Sequence, residues 1–367
     1  MANFITTGAK RAAYSTAQAA RIGWYSMHYI AGRHLVGPLT KPGEAPYASK
    51  SGSADLGVLR KSYHELFRRE WQHIKNGAYK LPYELRRLPN PINLFKTSRA
   101  YLADTKTVAR RGYAEKGHAQ VLEVAGAKAK ETYPSYYLQN FHFQSDGWLS
   151  AQSAEIYDMQ VETLFTGAGD TMRRQVLPFI HNELTARAAN GQATKDVQFV
   201  DLACGTGRLL SYVKDNWSDL PATAIDLSPD YLAQARKRLK RLLASQGGGV
   251  TYLNAMAEKL PLADKSVDIL MSVYLFHELP PKVRRSVAQE IARVLKPGGL
   301  YIHADTLQYG DASGLDILLE NFPRGLHEPY FDSYCKEDLA VLFGDEGLKP
   351  EAEQWGFLTK VNAMRRS

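Results

Sequence analysis

The sequence predicts an α/β protein built on a doubly wound, mostly parallel β-sheet. From residue 197 onward, short apolar runs alternate with helical segments, and each run is followed by Gly, Ser or Pro. Such alternation produces parallel strands with helices on both faces of the sheet. The predicted strands are 197–203, 222–226, 250–255, 267–274 and 299–305, and the helices between them are 232–243 and 282–295.

Length and composition limit the class of protein. The 367 residues favour two domains, which the change of pattern places at 1–150 and 151–367. The chain is 44% hydrophobic and 23% charged, as is typical of globular proteins, and no apolar stretch approaches the ~20 residues that span a bilayer. The two cysteines, Cys204 and Cys335, exclude a disulfide scaffold or a Cys-based zinc site. We therefore expect a reducing, cytoplasmic location.

The positive charge is concentrated in the N-terminal part of the chain. Residues 1–140 contain 22 Lys and Arg against 9 Asp and Glu, whereas the remaining residues contain 24 and 29. This asymmetry predicts an anionic neighbour, such as a membrane surface met peripherally, a nucleic acid or an acidic protein. The alternative is a solvated helical face. Because no RNA-binding signature accompanies the charge, nucleic acid is the less favoured partner.

Residues 1–43 contain no Asp or Glu and place several aromatic residues on one helical face, including Tyr14, Tyr25 and Tyr29. Three interpretations are open. The segment is an organelle transit peptide, a helix lying on a membrane surface with Trp24 at the boundary, or a helix that packs on its own protein.

The rest of the N-terminal region is predicted to be helical with interruptions. A Pro-, Gly- and Ser-rich stretch at 36–57 indicates a loop, and apolar spacing predicts a helix at about 58–77. Prolines break the chain between 81 and 91, and a second helical zone covers about 94–130.

The strongest functional signal follows the first predicted strand. The segment 200–208, VDLACGTGR, contains two glycines in a turn that leads into a helix, so backbone N–H groups can face a ligand. The next strand ends at Asp226, where a carboxylate can accept both hydroxyls of a ribose. Further strand ends lead into MAEKLP at 256–261 and YLFHE at 274–278, and a helix turns into the fifth strand through 292–299, ARVLKPGG.

In this order and spacing, the segments resemble the class I S-adenosylmethionine-dependent methyltransferases. The resemblance is close over about 195–310 and implies a Rossmann-like sheet of seven strands with S-adenosyl-L-methionine as the cofactor. Ala203 and Met256 stand where the family usually has Gly and Asp, so the adenine contacts depart most from the family pattern. The residues that the resemblance assigns to the cofactor are Asp201, Ala203, Cys204, Gly205, Gly207, Asp226, Leu227, Met256, Ala257 and Tyr274.

Upstream, the segment 153–158 and Arg173 resemble the N-terminal part of ubiquinone/menaquinone-type C-methyltransferases, which places Tyr157 and Arg173 beside the cofactor pocket. The alternative is that both residues only pack and cap the first helices of the domain.

An aromatic segment at 133–148 is predicted to form a lid over the acceptor. Tyr137, Phe141 and Trp148 suit a small hydrophobic, ring-bearing or lipid-like molecule. The alternative is a core that joins two domains. A cluster with aromatic residues at 330–334 would favour the acceptor pocket.

Methyl transfer needs alignment and, for some acceptors, a base. His277 follows the fourth strand and is the first candidate for that base, and His142 on the lid is the second. Asp305, at the end of the fifth strand, is a candidate for orienting the acceptor, or else it caps the next turn through Thr306. No His, Asp or Glu spacing predicts a metal.

The sequence therefore predicts a methyltransferase acting on a small hydrophobic acceptor by C- or O-methylation. An RNA or protein methyltransferase that uses the basic region is one alternative, and a non-catalytic cofactor-binding scaffold is another. A nicotinamide or flavin enzyme is disfavoured because Leu210 occupies the place of the third glycine in that fingerprint.

Overall fold

The computed structural model of the chain describes residues 2–36, 54–86, 90–112, 131–139, 141, 147–243 and 249–367. We number its helices and strands in chain order. The helices are α1 (Ala2–Val36), α2 (Leu56–Lys75), α3 (Tyr83–Arg86), α4 (Pro91–Gly112), α5 (Ala151–Leu164), α6 (Gly169–Arg173), α7 (Leu177–Ala189), α8 (Arg208–Asn216), α9 (Pro229–Leu243), α10 (Pro281–Val294), α11 (Asp316–Leu326), α12 (Phe331–Cys335) and α13 (Leu339–Gly344). The strands are β1 (Phe199–Leu202), β2 (Ala222–Asp226), β3 (Val250–Asn254), β4 (Val267–Val273), β5 (Leu295–Thr306), β6 (Leu348–Gly356) and β7 (Thr359–Arg366).

The seven strands form one sheet in the order β3-β2-β1-β4-β5-β7-β6. The first five strands run parallel, and β7 pairs antiparallel with both β5 and β6. This mixed seven-stranded sheet confirms the predicted α/β fold class. The strand order reverses between β1 and β4, so a ligand crevice is expected beyond the carboxyl ends of these two strands.

Both faces of the sheet are covered, which makes the fold doubly wound. One buried cluster joins the sheet to residues of α10 and α13, such as Val287, Ile291 and Leu342. A second cluster joins the other face to α7 and α8, through residues such as Leu184 and Leu209. Because helices cover both faces of the sheet, the sequences of the buried parallel strands are nearly continuously apolar.

The predicted central strands and the observed ones differ by a few residues at their ends, and β5 begins four residues earlier than predicted. The sequence analysis did not locate β6 and β7. In β6, seven of nine residues are at least partly exposed, so this edge strand lacks the apolar pattern that identifies a buried strand.

The N-terminal helices pack against the sheet domain around a buried carboxylate. Glu70 on α2 is completely buried and accepts hydrogen bonds from Tyr14 and Gln18 on α1, from Thr171 on α6, and from the Nε of Arg174 at 2.6 Å. Three helices, α1, α2 and α6, therefore meet at one side chain. Removing one partner of an ion pair that is buried this completely strongly destabilises the folded protein, because the remaining charge is left uncompensated.

Helix α1 also contacts other helices along its length. The guanidinium of Arg21 donates to Glu162 on α5 and to Asp170 on α6, at 2.8 and 2.9 Å. Further along, His28 lies 3.0 Å from the hydroxyl of Ser98 on α4. In this structure α1 packs on its own protein, as in the third interpretation of residues 1–43. Among the described residues, no helix combines the length and the apolar character that crossing a bilayer requires.

Two predicted elements lie partly outside the described residues. The predicted helix at 58–77 corresponds to α2, whereas 37–53 of the predicted loop are not described. The helical zone predicted for 94–130 is observed as α4 up to Gly112, and residues 113–130 are not described.

We expect Glu70→Ala to lower the free energy of unfolding by about 3–5 kcal/mol, because it leaves the buried Arg174 without one of its two carboxylate partners. Glu65→Ala on the same helix is the matched control. Glu65 pairs with the exposed Arg68, and its loss should cost less than about 1 kcal/mol. Urea unfolding followed by circular dichroism measures both values. Equal losses in the two variants would contradict the assigned role of the buried carboxylate.

Candidate active site

The turn after β1 has left-handed backbone at three positions. Ala203, Gly205 and Gly207 have φ angles of +58°, +53° and +67°. Glycine adopts this region without strain, whereas Ala203 carries a conformational cost of a kind that concentrates at functional sites. Tyr274, which follows β4, has φ +57°. The two strands that flank the crevice, β1 and β4, are therefore each followed directly by a non-glycine residue whose backbone is left-handed.

Asp226 at the end of β2 holds this turn. One of its carboxylate oxygens accepts the backbone N–H of Gly205 at 2.8 Å, and the other accepts the N–H of Ser228, also at 2.8 Å. Gly207 supports the turn from behind, since a methyl group at this position would lie 2.8 Å from the Cβ of Ala235 on α9. The third left-handed position is therefore needed for close packing of α8 on α9.

A cavity opens above this turn, between the carboxyl ends of the strands and the side chains of Tyr136, Tyr137 and Trp148. Seven of the residues predicted to bind cofactor line it: Ala203, Gly205, Asp226, Leu227, Ala257, Tyr157 and Tyr274. Two of the predicted acceptor residues, Tyr137 and Trp148, line it as well. The sequence analysis missed several further lining residues: Tyr136, Leu202, Ile225, Tyr231, Ala255, Val273, Leu275, Glu278 and Leu279.

Two carboxyl groups lie at the cavity wall and behind it. Burial raises the pKa of Asp226 to about 6, against the effect of its backbone hydrogen bonds. Burial and the nearby Asp226 raise the pKa of Asp201 well above its ordinary range, and Asp201 Oδ2 has no hydrogen-bond partner within the described part of the chain. Asp226 lines the cavity, so a ligand with a ribose would supply hydroxyl donors to its carboxyl group. S-adenosylmethionine carries a ribose.

The described parts of the segment predicted as a lid, residues 133–139, 141 and 147–148, lie at the cavity. The hydroxyl of Tyr136 donates to Glu258 at 2.7 Å, and the hydroxyl of Ser228 donates to the backbone oxygen of Trp148 at 2.8 Å. Phe141 stacks on Trp148 with ring centroids 4.3 Å apart, so it supports the lid from behind and is not among the cavity-lining residues. His142, the second candidate base, lies outside the described residues.

A second cavity adjoins the first and shares Tyr157, Tyr274 and Glu278 with it. Its walls are mostly apolar and come from α5, α6, α11, α12 and the β6–β7 turn. The residues that line it are Tyr157, Val161, Leu164, Phe165, Met172, Tyr274, His277, Glu278, Thr306, Leu318, Leu319, Phe322, Phe331 and Leu358.

The aromatic residues at 330–334 are divided between different environments. Phe331 lines the second cavity, and the hydroxyl of Tyr330 accepts a 3.5 Å hydrogen bond from Gln139 in the lid segment. Tyr334 is completely buried near His303. The expected contact between this segment and the lid is therefore made by Tyr330.

His277 and Asp305, predicted with separate roles, bind each other. His277 Nδ1 lies 2.5 Å from Oδ1 of Asp305. The same oxygen accepts the backbone N–H of Thr306, and the other carboxylate oxygen accepts the backbone N–H of Phe276. Burial opposes a charged imidazole, but Asp305 and Glu278 outweigh it and hold the pKa of His277 well above its usual range. These charges favour the protonated ring, whereas a general base must begin unprotonated. Asp305 does not line either cavity and positions His277, and its bond to Thr306 matches the alternative capping role.

The structure places other predicted residues behind the cavity walls. Asp201, Cys204 and Met256 neighbour lining residues in the chain but do not line the cavity themselves. Arg173 is buried and donates to Asp170 at 3.2 Å, which agrees with the packing alternative for this residue. Among the residues that the sequence analysis missed, Glu278 could have been found from the sequence, because it directly follows the candidate His277 in the turn after β4.

Comparison with known proteins identifies the central part of the chain. Residues 199–299, which include β1 to β4 and the cavity turn, match the methyltransferase domain family. This stretch is a class I methyltransferase domain. Its cofactor is S-adenosylmethionine, and Asp226 and the left-handed turn are the features of the cavity that fit this molecule.

Curated relatives share the domain but are not matched along their whole length. The Ubiquinone/menaquinone biosynthesis C-methyltransferase UbiE of Desulfotalea psychrophila is 30% identical over 150 residues, which is 41% of this chain and 53% of that protein. The phthiotriol/phenolphthiotriol dimycocerosates methyltransferase of Mycobacterium tuberculosis is 30% identical over 138 residues, or 38% and 46% of the two chains. This chain thus spans about half the length of the curated relatives it matches.

A solved structure of a SAM-dependent methyltransferase from Methanosarcina mazei covers 52% of this chain and 97% of its own, with 21% identity and a TM-score of 0.40.

We expect the affinity of the methyltransferase domain for S-adenosylhomocysteine to rise with pH as Asp226 ionises, because a carboxylate accepts the ribose hydroxyls and a carboxylic acid accepts them poorly. With a pKa of about 6, roughly one tenth of Asp226 is ionised at pH 5, so affinity there should fall up to about tenfold below that at pH 7.5. Asp226→Asn should bind at least about tenfold more weakly at pH 7.5. Calorimetry measures each value.

Asp230→Asn is the matched control, because Asp230 carries the same charge four residues along the chain and does not line the cavity. It should retain the affinity and the pH dependence of the unaltered protein. If Asp226→Asn also retains both, Asp226 does not hold the ribose.

Proposed function

We propose that this protein is an S-adenosylmethionine-dependent methyltransferase whose acceptor is a small hydrophobic, ring-bearing or lipid-like molecule. One observation carries the proposal: the cofactor cavity and a mostly apolar second cavity meet at Tyr157, Tyr274 and Glu278. A methyl donor in the first cavity and an oily acceptor in the second would face each other across these residues.

The chain supplies alignment and exclusion of water. When bound, S-adenosylmethionine supplies an electrophilic methyl group on a positively charged sulfur. Asp226 would hold the ribose, while Tyr137 and Trp148 cover the cavity. Such positioning accounts for a large part of the rate in transfers between bound partners. The bound cofactor would supply the methyl group and keep the electrons of the broken carbon–sulfur bond, and an acceptor atom that carries a proton would release it to solvent or to a base.

The apolar walls of the second cavity support the choice of acceptor. Leu318, Leu319, Phe322 and Phe331 form one side, and the polar side chains His277 and Glu278 lie at the end nearest the cofactor cavity. Pockets of this kind bind molecules with an apolar body and orient them with few polar groups. The named activities of the curated relatives, on quinone precursors and on phthiotriol lipids, also support an acceptor of this class.

We further propose that the protein meets its acceptor at an anionic membrane surface. Six of the nine exposed large hydrophobic side chains in the described residues lie on α1 and α4, among them Ile30 at 57%, Ile92 at 64% and Phe95 at 70% exposure. Lys96 and Arg99 are exposed on α4 beside them. Apolar side chains next to basic ones suit an interface with anionic lipid headgroups.

We expect transfer to be detected when the purified chain is incubated with S-adenosylmethionine carrying a trideuterated methyl group and with a lipid extract. Mass spectrometry would reveal the labelled product. Leu318→Trp should fill the second cavity and lower kcat/KM for that acceptor by roughly 10–200-fold, since pocket fit is worth about that much. Leu318→Met should keep most of the activity, because it conserves volume and apolar character.

Affinity for S-adenosylhomocysteine is the internal control and should not change in either Leu318 variant. Cofactor binding without any labelled product would instead indicate a non-catalytic scaffold. Equal activity of the Trp variant and the unaltered chain would show that the acceptor does not occupy the second cavity.

We expect the protein to co-sediment with phosphatidylglycerol vesicles and only weakly with phosphatidylcholine vesicles. The double variant Ile92→Glu/Phe95→Glu should lose most of this binding, because it replaces apolar contacts with charges that the lipid repels. Val341→Glu makes the same kind of change at a residue that is 52% exposed on α13 and should have no effect. Equal binding to both lipids, or equal loss in both variants, would contradict a membrane role for α4. Binding to single-stranded RNA instead would favour the nucleic-acid alternative.

A further inference from the structure

At the border between the two cavities, three buried side chains from separate segments converge. His277 and Glu278 lie in the turn after β4, and Glu328 lies between α11 and α12. A ring nitrogen of His277 and one carboxylate oxygen from each glutamate lie within 4.8 Å of one another. The three residues are 7%, 7% and 2% exposed. We propose that His277, Glu278 and Glu328 bind a divalent first-row metal cation such as Zn²⁺ or Mn²⁺.

The imidazole is oriented as a ligand. Asp305 binds Nδ1 of His277 and is itself fixed by backbone N–H groups of Phe276 and Thr306. The other ring nitrogen, Nε2, consequently points toward the glutamates. A carboxylate on the second nitrogen is the usual outer contact of a metal-binding histidine, since it fixes the tautomer and the orientation of the ring.

The distance between two of the donor atoms also fits a shared cation. His277 Nε2 and Glu278 Oε1 are 3.4 Å apart, which is longer than a typical N–H···O hydrogen bond of about 2.9 Å. Two tetrahedral ligands that are each about 2.1 Å from a metal lie about 3.4 Å apart. The distance within this ion pair is therefore compatible with a metal bound by both atoms.

A cation would replace a proton in this cluster. His277 pairs with Asp305 and with Glu278, and Glu278 also interacts with Glu328. Because a metal-binding imidazole is neutral, a divalent cation would take the place of the ring proton between Nε2 of His277 and Glu278.

Arg284 holds the two ligand-bearing segments together. This completely buried side chain on α10 donates from Nε to the backbone oxygen of Phe276 at 3.0 Å, and from Nη2 to the backbone oxygen of Tyr330 at 2.8 Å. The first contact is one residue from His277 and the second is two residues from Glu328. Through these two contacts, Arg284 is a positioning residue for both ligand-bearing segments. Its own position is fixed by an ion pair with Glu337 at 3.0 Å.

The ligand set indicates both the class of metal and its use. One imidazole with two carboxylates suits Zn²⁺, Mn²⁺ or Fe²⁺ better than it suits soft ions, which prefer thiolates. Three protein ligands leave a coordination position for another molecule. Glu278 lines both cavities and His277 lines the second, so an oxygen atom of the acceptor is the expected fourth ligand. This last assignment rests on the proposed function, whereas the metal site itself does not.

The test is metal binding by the purified full-length chain without cofactor or acceptor. After reconstitution with Zn²⁺, Mn²⁺ or Co²⁺ and dialysis, plasma mass spectrometry should find about one metal per chain, and Co²⁺ should give visible absorption typical of low coordination number. Glu328→Gln and His277→Gln should each weaken metal affinity at least about tenfold. Asp332→Asn is the matched control, because Asp332 is an exposed carboxylate four residues from Glu328, and it should bind metal normally.

Calorimetry with S-adenosylhomocysteine shows whether each variant is folded, since neither His277 nor Glu328 lines the cofactor cavity. No bound metal in the unaltered chain, or normal metal affinity in both ligand variants, would overturn the proposal. Because no methyl acceptor is present, this result is independent of whether the chain transfers methyl groups.

Discussion

The arrangement of the helices around the sheet depends on the hydrogen bonds that one buried carboxylate, Asp170, accepts from three arginines. It accepts hydrogen bonds from Arg21 on α1, Arg173 on α6 and Arg208 on α8. Burial opposes its ionisation, but the three guanidinium groups hold the pKa of Asp170 well below its usual range. Arg208 directly follows Gly207, so the same carboxylate that anchors the N-terminal helix also fixes the start of the helix after the cofactor turn. The basic N-terminal region is therefore bound to the framework of the site.

Local sequence signals predicted the centre of the fold well. The run at 222–226 coincides with β2, because a strand buried on both faces is continuously apolar and ends at a polar residue. The glycine turn and Asp226 were also placed correctly, since each depends on residues that are near in sequence and on the rule that parallel strands end at one edge. The edge strand β6 gave no such signal, because most of its side chains face solvent.

What the sequence did not predict depends on contacts between distant segments. His277 and Asp305 were assigned separate roles, yet they bind each other because β4 and β5 are adjacent parallel strands with Val273 opposite Ala304. The position of Glu328 beside them depends on α11 and on Arg284, and neither periodicity nor spacing encodes it. When a charged residue reaches a site only through contacts between distant segments, it can be assigned to that site only after the pairing of the strands is known.

The two cavities also limit how an acceptor can lie. A predicted domain boundary at residue 150 passes between Trp148, which covers the cofactor cavity, and Tyr157, which separates that cavity from the second one. Both parts of the chain therefore build the site. The second cavity is apolar at Leu318 and Phe322 and polar at Glu278, where it meets the first. Combined with the proposed function, this asymmetry predicts an acceptor whose apolar body fills the far end and whose polar group lies at the border, with methylation at or next to that polar group.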